Sequence, residues 1–188
     1  MRPSVQSLSC LAGLALVASM ACHRIGGQEA PPEFRNGPSD GNIVALILAA
    51  DNTDLSYARL VPPRARSADV QAFAQRMTTD HTILNAKVND IALRNGIKPE
   101  DDAASLEFRD ISANHRDVLR EFDGARFDSA YAAVEVQYHR DYLNMINTSL
   151  APHARNAELR EFVSLLKPAV SAHLAHAEQM RAALANKK

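Results

Sequence analysis

Apolar residues recur at steps of three and four through Val70, Phe73/Ala74, Met77, Leu84, Val88 and Ile91, the spacing of one face of an α-helix. The same count sets His81 in the seam between Met77 and Leu84, with Asp80 beside it. The helix predicted over 68–96 has clear limits. Ser67 is a candidate N-cap, Asp69 sits in the positive first turn, and Asn95-Gly96 supplies a C-terminal stop. At about 1.5 Å per residue this element is roughly 40 Å long and needs long partners to cover it.

Three further long helices follow from the same reading. The first is predicted over 42–61, with Ile43, Ile47, Ala50, Tyr57 and Val61 as its stripe and Asp54 in the missing step. Pro62-Pro63 close it, since proline lacks the amide donor and disfavours helix in the residue before it. Beyond Gly96, Pro99 and the acidic run Glu100-Asp101-Asp102 lead into a shorter helix over 103–122. Its pattern (Leu106, Ile111, Val118, Leu119, Phe122) is less regular, which predicts that it lies across one end of a bundle. Gly124 breaks the chain before a third long helix, over 125–150, with the seam Asp128, Tyr131, Glu135, His139, Tyr142, Ile146, Leu150 and Pro152 beyond it. The last helix, over 156–185, presents Leu159, Phe162, Leu166, Val170, His173, Ala177, Met180 and Leu184, with Pro168 inside it predicting a kink. Short links within each pair and a longer middle connection predict an all-α four-helix bundle, with an additional short helix in the middle crossover.

Composition narrows the setting. A net charge of −1 excludes the basic footprint of a nucleic-acid binder. Low aromatic content, 5% with no Trp, suits helices packed through small and aliphatic side chains. The only cysteines, Cys10 and Cys22, fall in the first 22 residues, so a disulfide framework is excluded for the rest. Those residues read as an export sequence: Arg2 is followed by the short apolar core 8–17, the small residues 18–21 and then Cys22. Two readings stand side by side. Ser19-Met20-Ala21 fits ordinary cleavage, and the same place resembles a bacterial lipobox with Cys22 as the lipidated residue. Cleavage alone would leave an unpaired thiol in an oxidising compartment, which favours the lipoprotein. The expected organisation is therefore 1–22 export sequence, 23–41 Pro- and Gly-containing tether, and 42–186 helical domain, in the periplasm or anchored at the outer membrane. The membrane, through that anchor, is the expected partner, and a second copy of the chain is an open one.

The chemistry lies on the seams. Each long helix puts an ionisable residue where an aliphatic one belongs: Asp54, His81, Asp128 with Glu135 and His139, and His173. Such groups must pair with one another or bind something, because an unpaired buried charge is very costly. Imidazole and carboxylate together form a ligand set for Zn, Fe, Mn or Cu, and bundle cores recurrently house such sites. Asp54, His81, Asp128, Glu135, His139 and His173 are thus the candidate metal ligands. An internal hydrogen-bond network that fixes helix register is the other reading of the same residues. Level arithmetic from the helix ends puts Glu135 opposite His173 but leaves Asp54 about 9 Å from the level of His81, which Asp51 matches better. His23, His115 and His153 read as solvated, and His176 as facing outward. No nucleophile elbow, phosphate loop or Cys/His zinc spacing occurs, so a binding module is expected ahead of an enzyme.

The run VQAFAQRMTTDH, the segment FDSAY with a histidine eight residues after Tyr131, and the run LKPAVSAHLAHA together resemble the bacterial ferritin-like family called domain of unknown function 4142. The resemblance covers about residues 42–183. It implies an exported, ferritin-like bundle with matching polar positions at Asp54, Asp80, His81, Asp128, His139 and His173, and it supplies no activity. The chain departs from the family in having Asp54 where Glu is usual and Tyr138 where an acidic residue is usual. Neither His81 nor His139 has Glu three residues earlier (Thr78, Val136), which argues against a ferroxidase centre.

Overall fold

The computed structural model describes residues 37–186; the export sequence, Cys22, His23 and most of the predicted tether lie outside them. The described residues contain helices and no strand: α1 (Asp40–Ala58), α2 (Val61–Arg64), α3 (Ala68–Arg94), α4 (Ala103–Arg120), α5 (Gly124–Met145) and α6 (Ala157–Ala185). They form a helical bundle in which α1 packs on α3, α5 on α6, and α3 on α6.

The first helix begins two residues earlier than its apolar stripe suggests. Ser39 Oγ accepts the amide of Asn42, whose side chain accepts the amide of Ser39, a reciprocal cap that satisfies two otherwise open donors. The Asp40 carboxylate accepts the amides of Arg155 and Asn156. A Cβ at Gly41 would lie 2.5 Å from the carbonyl oxygen of Lys98. Residues 39–41 are therefore part of the folded body rather than the tether. At its other end α1 stops at Ala58, and Pro62-Pro63 stand in the first turn of α2, where a missing amide costs nothing.

The fourth helix corrects a second expectation. It lies alongside α1 and runs in the same direction, not across one end. Asn42 Nδ2 donates to the carbonyl of Glu100, Thr53 Oγ1 lies 3.0 Å from Ser112 Oγ, and the Tyr57 hydroxyl lies 3.1 Å from His115 Nδ1, so the two helices match in order along their length. The reason is in α1 itself. Ile43, Val44, Ala45, Leu46, Ile47, Ala49 and Ala50 are all buried, which only a helix covered on more than one side can achieve. One face meets α3 and another meets α4.

Two ends follow the expected chemistry. Gly96, at φ 64°, closes α3, with the amide of Ile97 donating to the carbonyl of Ala92. Asn156 Oδ1 accepts the amide of Leu159 at the head of α6, and Pro168 lies inside that continuous helix. The third long helix, predicted to reach 150, is α-helical only to Met145. It then widens into a π-turn, Ile146–Leu150, in which the amide of Ala151 reaches back five residues to the carbonyl of Ile146.

Candidate metal centre

Five side chains from four helices meet in the middle of the bundle: Asp54 on α1, His81 on α3, Glu135 and His139 on α5, and His173 on α6. The first four have fully buried side chains, and that of His173 is 5% exposed. The imidazole centroids of His81, His139 and His173 lie 5.3 to 6.1 Å apart. One ligand atom from each of these three fits within a 4.8 Å cluster, and so does one each from Asp54, Glu135 and His139.

Each imidazole is held by one nitrogen. His81 Nδ1 lies 2.9 Å from Asp51 Oδ1, His139 Nδ1 donates to the carbonyl of Glu135 at 2.9 Å, and His173 Nε2 lies 3.0 Å from Asp80 Oδ2. Such an outer partner fixes the ring and the tautomer and leaves the other nitrogen as the donor. The three remaining nitrogens, His81 Nε2, His139 Nε2 and His173 Nδ1, are buried and have no hydrogen-bond partner. Both oxygens of Asp54 and both of Glu135 are in the same condition.

Asp54 explains why. Its Oδ2 lies 3.0 Å from His81 Nε2 and 3.3 Å from His139 Nε2, close enough for ion pairs but without the alignment of a hydrogen bond. Two nitrogens and an oxygen thus stand close together without being aligned on one another. Donor atoms around a tetrahedral ion with 2.0–2.1 Å bonds stand about 3.3 Å apart. The set could hold a metal ion.

Electrostatics divide the cluster. Burial opposes charge on His81, but the Asp54 charge and the contacts with Asp51 and Asp54 outweigh it and raise its pKa to about 10. Burial likewise works against the Asp54 carboxylate, yet His81 keeps its pKa below the ordinary value. His139 is pushed down to about 4, chiefly by burial. His173 is also lowered, by burial and by the charge on His81. Burial and the neighbouring Asp54 raise Glu135 well above the carboxylate range, which favours its acid form. The metal-free cluster therefore carries one ion pair, His81 with Asp54, beside two imidazoles held neutral.

Five of the six residues singled out in the sequence lie together, and Asp128 lies apart. Asp128 accepts the amides of Arg66 at 3.2 Å and Ser67 at 2.9 Å and belongs to neither donor group. It organises the chain entering α3, where the Ser67 hydroxyl makes no cap bond. Its heptad spacing from Glu135 mimics membership in the site while the helix carries it toward the end of the bundle. Asp51 and Asp80 were absent from the predicted set and hold the outer nitrogens instead. The signal for Asp51 is the level arithmetic that matches it to His81, and its spacing of three residues before Asp54 puts both on one face of α1. The two carboxylates grip His81 from either side.

The level mismatch between Asp54 and His81 also has a cause. The chain continues past α1 through α2 before α3 begins, so α3 starts below α1 and the expected offset of about 9 Å is taken up. His173 pairs with Asp80 rather than with Glu135. The other histidines among the described residues are less solvated than their sequence context suggests. His115 meets Tyr57, His153 Nδ1 donates to the carbonyl of Ser149, and His176 packs edge-on against Phe73 at 5.0 Å.

No curated protein and no solved structure matches the chain. Residues 26–180 match the family described as Domain of unknown function (DUF4142), a span that includes every residue of the cluster, and the chain belongs to that family.

Proposed function

We propose that this chain is a ferritin-like four-helix-bundle module of the bacterial cell envelope that holds one divalent transition-metal ion through His81, His139, His173 and Asp54. The observation that carries this reading is the convergence of Asp54 Oδ2 with His81 Nε2 and His139 Nε2, at 3.0 and 3.3 Å without hydrogen-bond alignment. Three imidazoles, His81 giving up its proton to the incoming ion, and one carboxylate suit Zn, Cu(II), Fe or Mn. Glu135 is a reserve carboxylate one turn from His139. Held as the acid, it can give up its proton when an ion arrives. Full burial of the donors favours holding an ion over turning over a substrate, since the larger surface clefts are lined by other residues. A second reading draws support from the His81 proton caught between Asp51 and Asp54: a metal-free polar network that sets helix register.

Elemental analysis of the protein purified from its native compartment separates the two. Under the metal reading, stoichiometric metal is found, and added ion at a hundred times its Kd stabilises the protein by about 2.7 kcal/mol. In His173→Gln that gain largely vanishes while metal-free stability changes little. An unchanged melting temperature with Zn, Fe, Mn and Cu, in protein that carries no metal as isolated, leaves the network reading.

The envelope location rests on the 1–22 segment. No helix among the described residues is long and apolar enough to cross a membrane, so attachment would depend on lipid at Cys22. Changing Cys22→Ala should then move the protein from the membrane fraction to the soluble periplasm. Wild type already soluble would make 19–21 an ordinary cleavage site.

A further inference from the structure

The five donors are buried, so an ion must reach them after shedding its water, and the cover over the cluster is not uniform. Asp51, which holds the outer nitrogen of His81, is fully buried, and the outer nitrogen of His139 is held by a backbone carbonyl inside α5. Only the third imidazole has its outer partner at the surface. The Asp80 side chain is 30% exposed, and its Oδ2 sits between His173 Nε2 at 3.0 Å and Arg76 Nε at 3.3 Å. His173 thus has one nitrogen turned to a solvent-reaching carboxylate and the other, Nδ1, turned inward without a partner. It is also the only one of the three imidazoles with a measurably exposed side chain.

Resting on the metal reading above, we propose that the ion enters and leaves between α3 and α6, captured at the surface by Asp80 and passed inward as His173 swings. The carboxylate is a hard, anionic first contact for a hydrated divalent cation, and the adjacent imidazole offers a second donor. Arg76, 62% exposed and one turn before Asp80, opposes this step in two ways: it pins the carboxylate, and it places a positive charge at the mouth. Moving His173 breaks a single contact at the rim. Moving either other histidine would break a fully buried one. Asp80 and Arg76 are positioning residues in this scheme, and the ligand atoms remain those of the core.

The two residues should shift uptake in opposite directions. In stopped-flow mixing of full-length metal-free protein with Zn(II), Asp80→Asn keeps size and an acceptor but loses the charge, and uptake slows several-fold. Arg76→Ala releases the carboxylate and speeds uptake by about two- to fivefold, the range an exposed ion pair is worth. Both effects shrink as salt is raised toward 1 M, where screening reaches only about 3 Å. Asp51→Asn, the buried counterpart, weakens affinity about ten- to hundredfold through faster release into EDTA, with uptake unchanged. Uptake rates unaffected by Asp80→Asn and Arg76→Ala, or shifted in the same direction by both, overturn the proposal. A metal-free readout keeps it separable from the metal reading. In diethyl pyrocarbonate, located by peptide mass spectrometry, His173 should react before His81 and His139, and faster still in Arg76→Ala. A wild type that takes up no Zn(II) yet keeps this order removes the ion but leaves the opening. Equal reactivity of the three histidines removes the opening itself.

Discussion

Two buried polar regions lie on opposite sides of α1, and they are built by different rules. On the side facing α4, Thr53 Oγ1 donates to the carbonyl of Ala49 and lies 3.0 Å from Ser112 Oγ, which donates to the carbonyl of Phe108. Tyr57 and His115 complete that seam through their hydroxyl and ring nitrogen. These groups answer one another, as buried polar groups must when nothing else is to be bound. On the side facing α3, α5 and α6, Asp54, His81, Glu135, His139 and His173 all keep polar atoms without a partner. The difference is that between a polar seam that closes on itself and one that is complete only with something more. Residue type alone would not separate them, since both contain histidine. What separates them is whether a buried ring nitrogen is left without a partner.

The sharpest break of this comparison is a pair of truncations in metal-free protein, one on each side. Asp54→Ala removes one of the two carboxylates that hold the buried, charged His81 and, with Asp51 left in place, should cost about 3 kcal/mol, the lower end of the range for breaking a buried ion pair. Ser112→Ala takes one hydroxyl from the closed seam, where Thr53 keeps its own bond to Ala49, and should cost about 1 kcal/mol. Urea unfolding of both variants reads the contrast directly. Equal losses would mean that the core cluster is balanced internally, like the α4 seam.

How far the sequence announced this arrangement depends on what each signal measures. Periodicity located the four long helices because it reports a buried face, and His81, His139 and His173 stood out as polar residues on such faces. Periodicity does not report how many faces are buried. The run 43–50 is apolar nearly all round, yet reading it as one stripe left α4 without its place beside α1. Spacing along a helix fixes direction but not depth in the bundle, which is why Asp128 looked like a ligand and instead binds the amides of Arg66 and Ser67. The partners of the outer nitrogens, Asp51 and Asp80, depend on the relative height of separate helices. That height is set by α2 and the turns around it, where no periodic signal exists. The π-turn at Ile146–Leu150 was invisible for a related reason, since it alters the hydrogen-bond span without changing the residue pattern.

The last way to sharpen the comparison is pH, because the core cluster holds histidines driven in opposite directions. In the folded metal-free protein His81 titrates at about 10 against an ordinary 6.5, so the native state keeps a proton that the unfolded chain has lost. Its contribution is complete below pH 6.5 and disappears as pH rises toward 10, at up to about 1.4 kcal/mol per pH unit. His139 behaves the other way. Its folded pKa of about 4 means that the unfolded chain binds the extra proton, so stability is lost as pH falls from 6.5 toward 4. Through these two histidines metal-free stability should fall on both sides of pH 6.5, with Asp54, held below its ordinary value, adding to the acid limb and Glu135, already held as the acid, opposing it. Replacing His81→Gln should flatten the alkaline limb and leave the acid one, and His139→Gln should reduce only the acid limb. An alkaline limb that persists in His81→Gln would mean that the proton held between Asp51 and Asp54 is not what stabilises the metal-free core.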